Sequence, residues 1–496
     1  MAILMGPVLS FRGLGDDGRR WQLSALVVTD SGAPGLLSWQ DRAGGGEVGP
    51  DPLWSVGGRA AYRYRFSAPL GDEPARFRYK VLDQGYEVHL PAAGRTPRMA
   101  YTSCNGFSSP KAMMAVRDKN AMWSVVAKRH AAAPYHLLLQ GGDQVYADSM
   151  WEVVPSMKAW NALGFRQGNE APFTAEMGEG LKAFYFDLYV ERWAQPEVAA
   201  VLARVPTVAM WDDHDIIDGW GSYPPERQDC DVFKGMWPIA ERAFATFQQQ
   251  LAVGEARPGA IGPGHGHSHG HVVGRTAILA VDMRSERTAK RVLTLEHWEA
   301  VYAWLDALPA GLDHLLLMSS IPVVYPGFDT LEGLLGLVPG QQELDDDLRD
   351  QWNSRPHKGE RLRLIHRLLA FARGKRIRPT IVSGDVHLAA LGLIESTRDP
   401  PAGSEAVINQ LISSGVVHPA PGAATLFALR QLFASADEVD RGITARMVEF
   451  PGTQRRFIGA RNFLSLEPDP NDSRIWANWF VEGEDDPYVK VVHALS

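Results

Sequence analysis

The stretch PYHLLLQGGDQVYAD at residues 134–148 decides the fold class, because it joins a continuous apolar run to a cluster of polar side chains. An apolar run without polar alternation is typical of a strand covered on both faces, as in a parallel sheet. The cluster that follows contains Asp143, Tyr146 and Asp148. Ligands of α/β proteins collect outside the carboxyl ends of the strands. We therefore expect a functional site directly after this strand.

The same pattern recurs in both directions along the chain. The other runs that lead into such clusters are YTSCNG (101–106), VPTVAMWDDHD (205–215), TAILAVDMRSER (276–287), HLLLMSSIP (314–322), PTIVSGDVH (379–387) and AVINQLISSG (406–415). Residues 179–203 and 359–373 have apolar positions near helical spacing. Strands that alternate with helices predict an α/β fold in which several strand ends share one site.

Length and charge limit the domain organisation and the partners. The chain has 496 residues, and single hydrophobic cores stop growing near roughly 250–300 residues. We expect an N-terminal β-sandwich-like domain at 1–96, where short alternating runs lie between Gly and Pro, and a second domain at 97–496. The formal net charge of −8 argues against a basic footprint for nucleic acid.

The sequence shows neither an export signal nor a membrane span. No basic segment at the N-terminus precedes a long apolar stretch. No window approaches the roughly 20 apolar residues that a membrane span needs. We therefore expect a cytoplasmic protein.

The polar clusters combine two kinds of metal ligand. Converging carboxylates such as Asp143, Asp213 and Asp385 would repel one another strongly unless cations lay between them. Carboxylate oxygens suit hard ions, whereas thiolate, imidazole and phenolate groups suit a transition metal. The residues of the second kind are Cys104, His387 and Tyr146. Both kinds in one site predict two different metals.

Taken in chain order, the motifs are similar to those of a known family. The series GGDxxY, WDDH, DxR and SGDxH resembles the PhoD-like alkaline phosphatases and phosphodiesterases, within the calcineurin-like metallophosphoesterase superfamily. The resemblance covers roughly residues 98–420. It implies a four-layer α/β/β/α sandwich, preceded by a small N-terminal antiparallel β domain.

The resemblance also implies the cofactors, one Fe³⁺ and one or two Ca²⁺. The implied iron ligands are Cys104, Asp143, Tyr146 and His387. Asp143 would bridge to calcium, and Asp213 and Asp385 would complete the calcium side. Ordinary metallophosphoesterases have Asn and His at those last two positions, and two carboxylates there favour calcium over zinc.

The implied activity is hydrolysis of phosphodiesters, with phosphomonoesters left open, by attack of a metal-bound hydroxide. His214 would donate a proton to the leaving oxygen; the alternative is that it only orients Asp213. Arg284 would grip a phosphate oxygen; the alternative is that it pairs with Asp282 or Glu286 as structural support.

Two other functions remain open. The first is a phospholipase D/C-like hydrolase of lipid headgroups, for which the apolar stretch LEGLLGLVPG at 331–340 could approach a membrane surface. The second is a catalytically idle binding module stabilised by metals. The presence of both Asp143 and His214 disfavours it, because a purely structural site needs no acid beside an open position.

Three local features have simpler interpretations. The string GHSHG at 266–270 matches the G-x-S-x-G pattern of serine hydrolases but lacks the preceding buried strand, so we treat it as a chance match. The histidines within 265–271 predict a mobile surface hairpin near the mouth of the cleft. Trp220 and Tyr223 are the best aromatic candidates for lining a pocket.

Overall fold

The computed structural model describes residues 1–495 except 16, 43, 326–351, 353, 355 and 399–403. The apolar stretch at 331–340 therefore lies outside the described residues. No described helix has the length and apolar character that a membrane crossing requires.

Strands dominate the N-terminal and C-terminal parts of the chain and alternate with helices between them. The described strands are β1 (Ile3–Leu14), β2 (Arg20–Thr29), β3 (Leu37–Asp41), β4 (Gly44–Val48), β5 (Asp51–Val56), β6 (Arg59–Pro69), β7 (Ala75–Val81), β8 (Gln84–Leu90), β9 (Met99–Thr102), β10 (Leu137–Gly141), β11 (Thr207–Met210), β12 (His269–Val273), β13 (Thr276–Val281), β14 (His314–Ser319), β15 (Arg378–Ser383), β16 (Ala389–Ser396), β17 (Val407–Ser413), β18 (Ala436–Asp440), β19 (Ile443–Val448), β20 (Phe457–Ile458), β21 (Asn462–Pro468), β22 (Ile475–Val481) and β23 (Tyr488–Val492).

The helices lie mainly between the strands of the central region. The described α-helices are α1 (Pro110–Met114), α2 (Ala121–Ala132), α3 (Met150–Val153), α4 (Pro155–Asn161), α5 (Phe165–Glu170), α6 (Ala175–Trp193), α7 (Pro196–Leu202), α8 (Pro225–Gln228), α9 (Asp231–Phe247), α10 (Leu295–Ala307), α11 (Lys358–Lys375) and α12 (Ala423–Leu432). Short 3₁₀ turns are present at Ala147–Ser149, Asp213–Asp215 and Ser404–Ala406.

Two large sheets form the centre of the molecule. The first has ten strands in the order β23-β22-β21-β9-β10-β11-β1-β2-β6-β5. The second has nine, in the order β12-β13-β14-β15-β17-β16-β19-β18, with β20 paired to β16. Strands β9, β10 and β11 are parallel neighbours, and so are β13, β14, β15 and β17. The α/β class predicted from the apolar runs is confirmed.

The N-terminal strands are divided between two sheets. Strand β1 pairs in parallel with β11, with Ser10 opposite Thr207, and β2, β6 and β5 extend the ten-stranded sheet beyond it. The other four described N-terminal strands, β4, β3, β7 and β8, form a separate sheet. A parallel pairing between strands nearly 200 residues apart leaves no local sequence signal. The boundary at residues 96 and 97 stays a prediction.

Alternating side chains of the buried strands pack into different hydrophobic clusters. In β10, Leu138 belongs to a cluster shared with the helices, which includes Trp123 of α2 and Phe244 of α9. Its neighbours Leu137 and Leu139 belong to a cluster that contains residues of both large sheets. Side chains on successive strand positions point to opposite faces. Apolar partners on both faces explain why this run shows no polar alternation.

The prediction of a surface hairpin at 265–271 is wrong for His267, His269 and His271, which are buried, whereas His265 is exposed. His269 begins strand β12, which pairs antiparallel with β13, and the exposure of His269 and His271 is 3% and 8%. The ring of His271 contacts Phe11 edge-on at 5.3 Å between centroids. Burial lowers the pKa of His271 to about 4, so that its imidazole is neutral at pH 7. A neutral imidazole can pack against aromatic rings in a core, which composition alone does not indicate.

Candidate metal centre

The predicted site residues follow strands of both sheets, where the strands end. Cys104 follows β9, Asp143 follows β10 and Asp213 follows β11 in the ten-stranded sheet, and Asp385 and His387 follow β15 in the other. Parallel neighbours end at the same edge of a sheet, which brings such residues together.

Hydrogen bonds join the strand ends of one sheet to those of the other. The Ser103 hydroxyl donates to the Ser413 carbonyl at 3.1 Å, and the Val416 N–H donates to the Ser103 carbonyl at 3.0 Å. A Cβ atom on Gly384 would lie 2.3 Å from Ser103 Oγ, so only glycine fits at this point. The two edges therefore meet with backbone almost in contact.

The backbone at four predicted ligands is strained. Cys104, Asp143, Asp385 and His387 have φ values of +56°, +53°, +69° and +54°, in the left-handed region that non-glycine residues seldom adopt. Such conformations cost free energy and cluster at functional sites. Their coincidence with residues chosen from sequence motifs alone is independent support for a functional site here.

The predicted iron ligands form one contiguous group. Cys104 Sγ lies 3.4 Å from Asp143 Oδ2, and Tyr146 Oη lies 3.2 Å from His387 Nε2. Ser414 Oγ lies 3.1 Å from Cys104 Sγ and accepts the backbone N–H of His387 at 2.8 Å. Ser414 thus connects two members of the group.

Burial controls the protonation of these groups. It raises the pKa of the Cys104 thiol well above its usual range, and the Asp143 carboxylate raises it further. It likewise raises the pKa of the Tyr146 phenol. It lowers the pKa of His387, which leaves a neutral imidazole. A cation between them would favour the thiolate and the phenolate, and a neutral imidazole is already a ligand.

Carboxylates crowd beside this group. Asp143, Asp212 and Asp213 each offer an oxygen within 4.8 Å of the others. Asp143 is 1% exposed, yet its Oδ1 has no hydrogen-bond partner in the described part of the chain. Burial raises the pKa of Asp143 well above its usual range, and the Asp212 carboxylate adds to the effect. Buried carboxylates so close together fit a site for cations, which would supply the missing partner.

Asp385 lies on the edge of the same site. Besides burial and Asp143, the Asp385 carboxylate also raises the pKa of Cys104, so the two side chains interact electrostatically. Asp385 is half-buried, on the loop that ends with His387. Asp385 is thus near the predicted iron ligands, while Asp143 and Asp213 belong to the carboxylate group.

The Arg284 guanidinium pairs with Asp212 and Asp213, and neither of the two predictions for Arg284 named these partners. Its guanidinium is fully buried, forms an ion pair with Asp212, and lies 3.3 Å from Asp213 Oδ1. It also donates to the Trp220 carbonyl at 3.2 Å. Asp282 Oδ1 accepts the backbone N–H of Arg284 at 3.0 Å. A cation enclosed in this way favours a role in positioning the carboxylates.

His214 is oriented by a carboxylate that sequence reasoning gave no role. His214 Nδ1 lies 2.6 Å from Asp148 Oδ2, and its ring stacks on Tyr146 at 4.2 Å between centroids. Burial lowers the pKa of His214, but the Asp148 and Asp213 carboxylates outweigh it and raise that pKa well above its ordinary value. Asp148 follows Tyr146 by two residues, and its place in the same polar cluster is the sequence feature that could have indicated a role for it.

Asp215 connects the loop after β10 to the loop after β11. Its carboxylate accepts five hydrogen bonds of 2.9–3.2 Å, from the backbone N–H groups of Asp143, Gln144, Val145 and Asp212 and from the Gln248 side-chain amide. Burial raises the pKa of Asp215 to about 7, against the opposing effect of these donors. The residue thus fixes the backbone that presents Asp143.

Two further residues complete the surroundings. The His418 ring stacks on His387 at 3.6 Å between centroids, and its position after β17 follows the same rule as the other strand ends. Asn105, which follows Cys104 in the first polar cluster, is hydrogen-bonded to side chains of α2 and α6. Its Oδ1 accepts from Trp123 Nε1 at 2.7 Å and from Arg192 Nη2 at 2.8 Å.

Comparisons with known proteins identify the family and the fold. An uncharacterized protein of Saccharomyces cerevisiae is 28% identical over 502 aligned residues, which cover 83% of this chain and 71% of that protein. A solved structure of PhoD has a TM-score of 0.61 at 14% identity, covering 98% of this chain and 90% of its own, and shows that the fold is shared. Residues 86–343 and 332–437 match the family model described as PhoD related phosphatase. The chain therefore belongs to the family of PhoD-related phosphatases.

Proposed function

We propose that this protein is a metal-dependent phosphoesterase that hydrolyses phosphodiesters, with phosphomonoesters as a second substrate class. The observation that carries the proposal is the buried group of Asp143, Asp212 and Asp213 carboxylates at converging strand ends. In a chain of the PhoD-related phosphatase family, such a group is the natural place for the metals. Two adjacent cations can stabilise both the attacking and the leaving oxygen in the hydrolysis of a phosphate ester.

The donor chemistry supports an assignment of the two metals. Fe³⁺ would be held by Cys104, Asp143, Tyr146 and His387, and Ca²⁺ by Asp143, Asp213 and Asp385. When bound, the cations would neutralise the phosphate and lower the pKa of a coordinated water. Thiolate, phenolate and imidazole suit the first ion, and an all-carboxylate set suits the second.

The remaining roles belong to side chains of the chain itself. His214 would give a proton to the leaving oxygen, with Asp148 holding the imidazole in position through Nδ1. Arg284 would hold Asp212 and Asp213 in place rather than contact the substrate, because its guanidinium is fully buried. The pairing of His214 with Asp148 disfavours an idle binding module, which would have no use for a poised acid.

The same family relationship supports a four-layer α/β/β/α arrangement. One hydrophobic cluster joins the two large sheets. A second cluster joins the ten-stranded sheet to helices, and a third joins the nine-stranded sheet to other helices. Helices α2, α6 and α9 would form one outer layer, and α10, α11 and α12 the other.

Substitution of the carboxylates tests the proposed activity. Loss of a residue that only orients a metal ligand typically reduces activity 10–100-fold. We therefore expect Asp143→Asn and Asp213→Asn to reduce turnover of bis(p-nitrophenyl) phosphate by at least about 100-fold. Circular dichroism checks that the fold is intact, and the exposed Asp83→Asn is the matched control. Near-normal turnover by both site variants would contradict the proposal.

Metal analysis tests the cofactor assignment separately. We expect the purified protein to contain iron and calcium and to absorb visible light through tyrosinate-to-iron charge transfer. Tyr146→Phe should remove the tyrosinate-to-iron band, while Tyr62→Phe should retain it. A colourless, iron-free protein with full activity would refute the iron assignment.

A further inference from the structure

A pocket of about 400 Å³ opens beside the candidate metal centre. This volume lies within the roughly 300–1,000 Å³ of small-molecule sites. One wall comes from helix α9, with Phe233, Lys234 and Trp237. The other comes from the chain after β13, including Arg287 and Arg291.

The pocket is connected to the metal centre through neighbouring residues. Trp220 lines the pocket, as predicted from the sequence, and its carbonyl accepts from Arg284, which pairs with Asp212. The preceding residue, Gly219, donates its backbone N–H to Asp213 Oδ2 at 2.7 Å. A ligand in this pocket would therefore lie next to the loop that holds the carboxylates.

One side of the pocket is aromatic. Trp220 stacks on Trp237 at 5.2 Å and 16°, and on Phe233 at 5.5 Å and 27°. Phe233 and Trp237 are four residues apart on α9, so they share one face of the helix. Trp237 is only half-buried and lines the pocket. Aromatic side chains stack on planar rings, the bases of nucleotides among them.

The other side is cationic. Lys234 and Arg291 are exposed at the pocket, and neither forms an ion pair with a carboxylate of the described residues. The lining also contains two acids. Glu286 is engaged by the backbone and hydroxyl of Thr294 at 2.8 Å and by His265 at 2.8 Å, whereas Asp229 is exposed. Arg291 Nη2 donates to the Glu286 carbonyl at 3.3 Å, and both exposed side chains keep further N–H groups for an anionic group.

Arg287 is held in the wall by a close backbone approach. Arg287 is 4% exposed, and a Cβ atom added to Gly221 would lie 2.6 Å from the Cβ of Arg287. Gly221 has φ +92°, which side-chain-bearing residues rarely adopt. The chain thus uses glycine where this cation packs against the loop after the carboxylates.

We propose that this pocket binds a nucleotide group, with its base against Trp237 and its phosphate at Lys234 and Arg291. The inference rests on the proposed function, since the nucleotide would be the non-reacting part of a phosphodiester substrate. It names a substrate class that the metal ligands alone do not specify. The aromatic side of the pocket would recognise a planar ring, and the cationic side would recognise a negative charge on the same ligand.

Calorimetric titration of the purified, metal-containing protein with adenosine 5′-monophosphate tests the pocket. We expect Trp237→Ala, and separately the double variant Lys234→Ala with Arg291→Ala, to weaken binding at least about 10-fold. Asp143→Asn should retain binding, and Lys182→Ala, an exposed lysine on α6, is the matched control. Glycerol 3-phosphate, which has the charge without the ring, should bind at least about 10-fold more weakly than the nucleotide.

Several results would overturn the inference. These are wild-type affinity in the double variant, loss of binding through Asp143→Asn alone, or no binding by the wild type at millimolar nucleotide. Hydrolysis of bis(p-nitrophenyl) phosphate is measured on the same samples. Hydrolysis without nucleotide binding would refute only the pocket, whereas nucleotide binding without hydrolysis would refute the proposed function and retain the pocket.

Discussion

At the scale of single residues, His214 and Asp148 determine how a proton could reach the site. The contact between His214 Nδ1 and Asp148 Oδ2 is 2.6 Å, short enough to fix both the tautomer and the ring orientation. Asp148 Oδ1 also accepts the backbone N–H of Asp218 at 2.8 Å, so the carboxylate is itself held in place. A histidine supported in this way can present its other nitrogen to a substrate without reorienting.

We expect Asp148→Asn to lower kcat for a phosphodiester about 10–100-fold, the usual effect of removing a carboxylate that orients a functional histidine. KM should change little, because Asp148 would not contact the substrate. Steady-state kinetics measures both values. The control is Glu152→Gln, an exposed carboxylate one turn further along the chain. A wild-type kcat in Asp148→Asn would show that the pair has no part in turnover.

At the scale of elements, the loops after β10 and β11 are fixed to each other through Asp215. One of its oxygens accepts from Asp143 and Asp212, and the other from Gln144, Val145 and Gln248. An asparagine at this position would turn an amino group toward N–H donors and leave some of them without an acceptor. The positive φ of Asp143 depends on these contacts, since a strained backbone persists only where its surroundings hold it.

Asp215→Asn should therefore lower the free energy of unfolding by about 2–3 kcal/mol, the scale of leaving buried N–H donors without an acceptor. We also expect the variant to retain less metal after dialysis than the wild type. Thermal melting and metal analysis measure the two effects. Glu170→Gln, which alters an exposed pair with Arg166, should change neither. An unchanged melting temperature and metal content would show that the two loops are held by other contacts.

Patterns within short stretches of sequence predicted the buried strands and the long helices of the central region. The run that ends at Asp143 is strand β10, because apolar partners on both faces leave a continuous apolar signature. The helix predicted at 179–203 is divided into α6 and α7, since Pro196 begins a new helix.

Long-range contacts could not be predicted in this way. The partners of Asp215 lie up to 72 residues away, and nothing in the sequence pairs β1 with β11. His271 was expected at the surface because its Gly-rich, His-rich context is polar, but it is uncharged and packed against Phe11.

At the scale of the whole molecule, buried neutral histidines make stability depend on pH. Burial lowers the pKa of His130 and of His271 to about 4, below the ordinary value of 6.5. Between these two pKa values the unfolded chain binds more protons than the folded chain, so stability falls as the pH drops from about 6.5 to about 4. Below about pH 4 these histidines are protonated in both the folded and the unfolded chain, so they no longer make stability depend on pH.

From pH 7 to pH 5, each such histidine should lower the free energy of unfolding by about 2 kcal/mol. His271→Phe keeps an aromatic ring but does not titrate, so its loss of stability over this range should be smaller than that of the wild type by about this amount. Denaturant unfolding at the two pH values measures the difference. The exposed His493→Gln should behave as the wild type. An unchanged pH dependence in His271→Phe would show that this imidazole is not neutral in the fold.

Four N-terminal strands, β1, β2, β5 and β6, are part of a sheet that carries the site, and this leads to a prediction about truncation. Removal of residues 1–96 would expose the edge of β11, which pairs with β1 and whose Thr207 hydroxyl donates to the Leu9 carbonyl at 3.0 Å. It would also remove the Val8 carbonyl that accepts from Gln250. An unpaired strand edge next to uncovered apolar side chains favours aggregation.

We therefore expect the fragment 97–496 to be insoluble, or to melt far below the intact chain, and to hydrolyse no phosphodiester. Size-exclusion chromatography, circular dichroism and the hydrolysis assay measure these outcomes. The control is the full-length protein cleaved after folding at a protease site introduced at the exposed Gly94–Arg95 bond, which should keep both pieces together and active. A soluble, active fragment 97–496 would instead establish residues 1–96 as an independent domain, because β11 would then hold its place without β1.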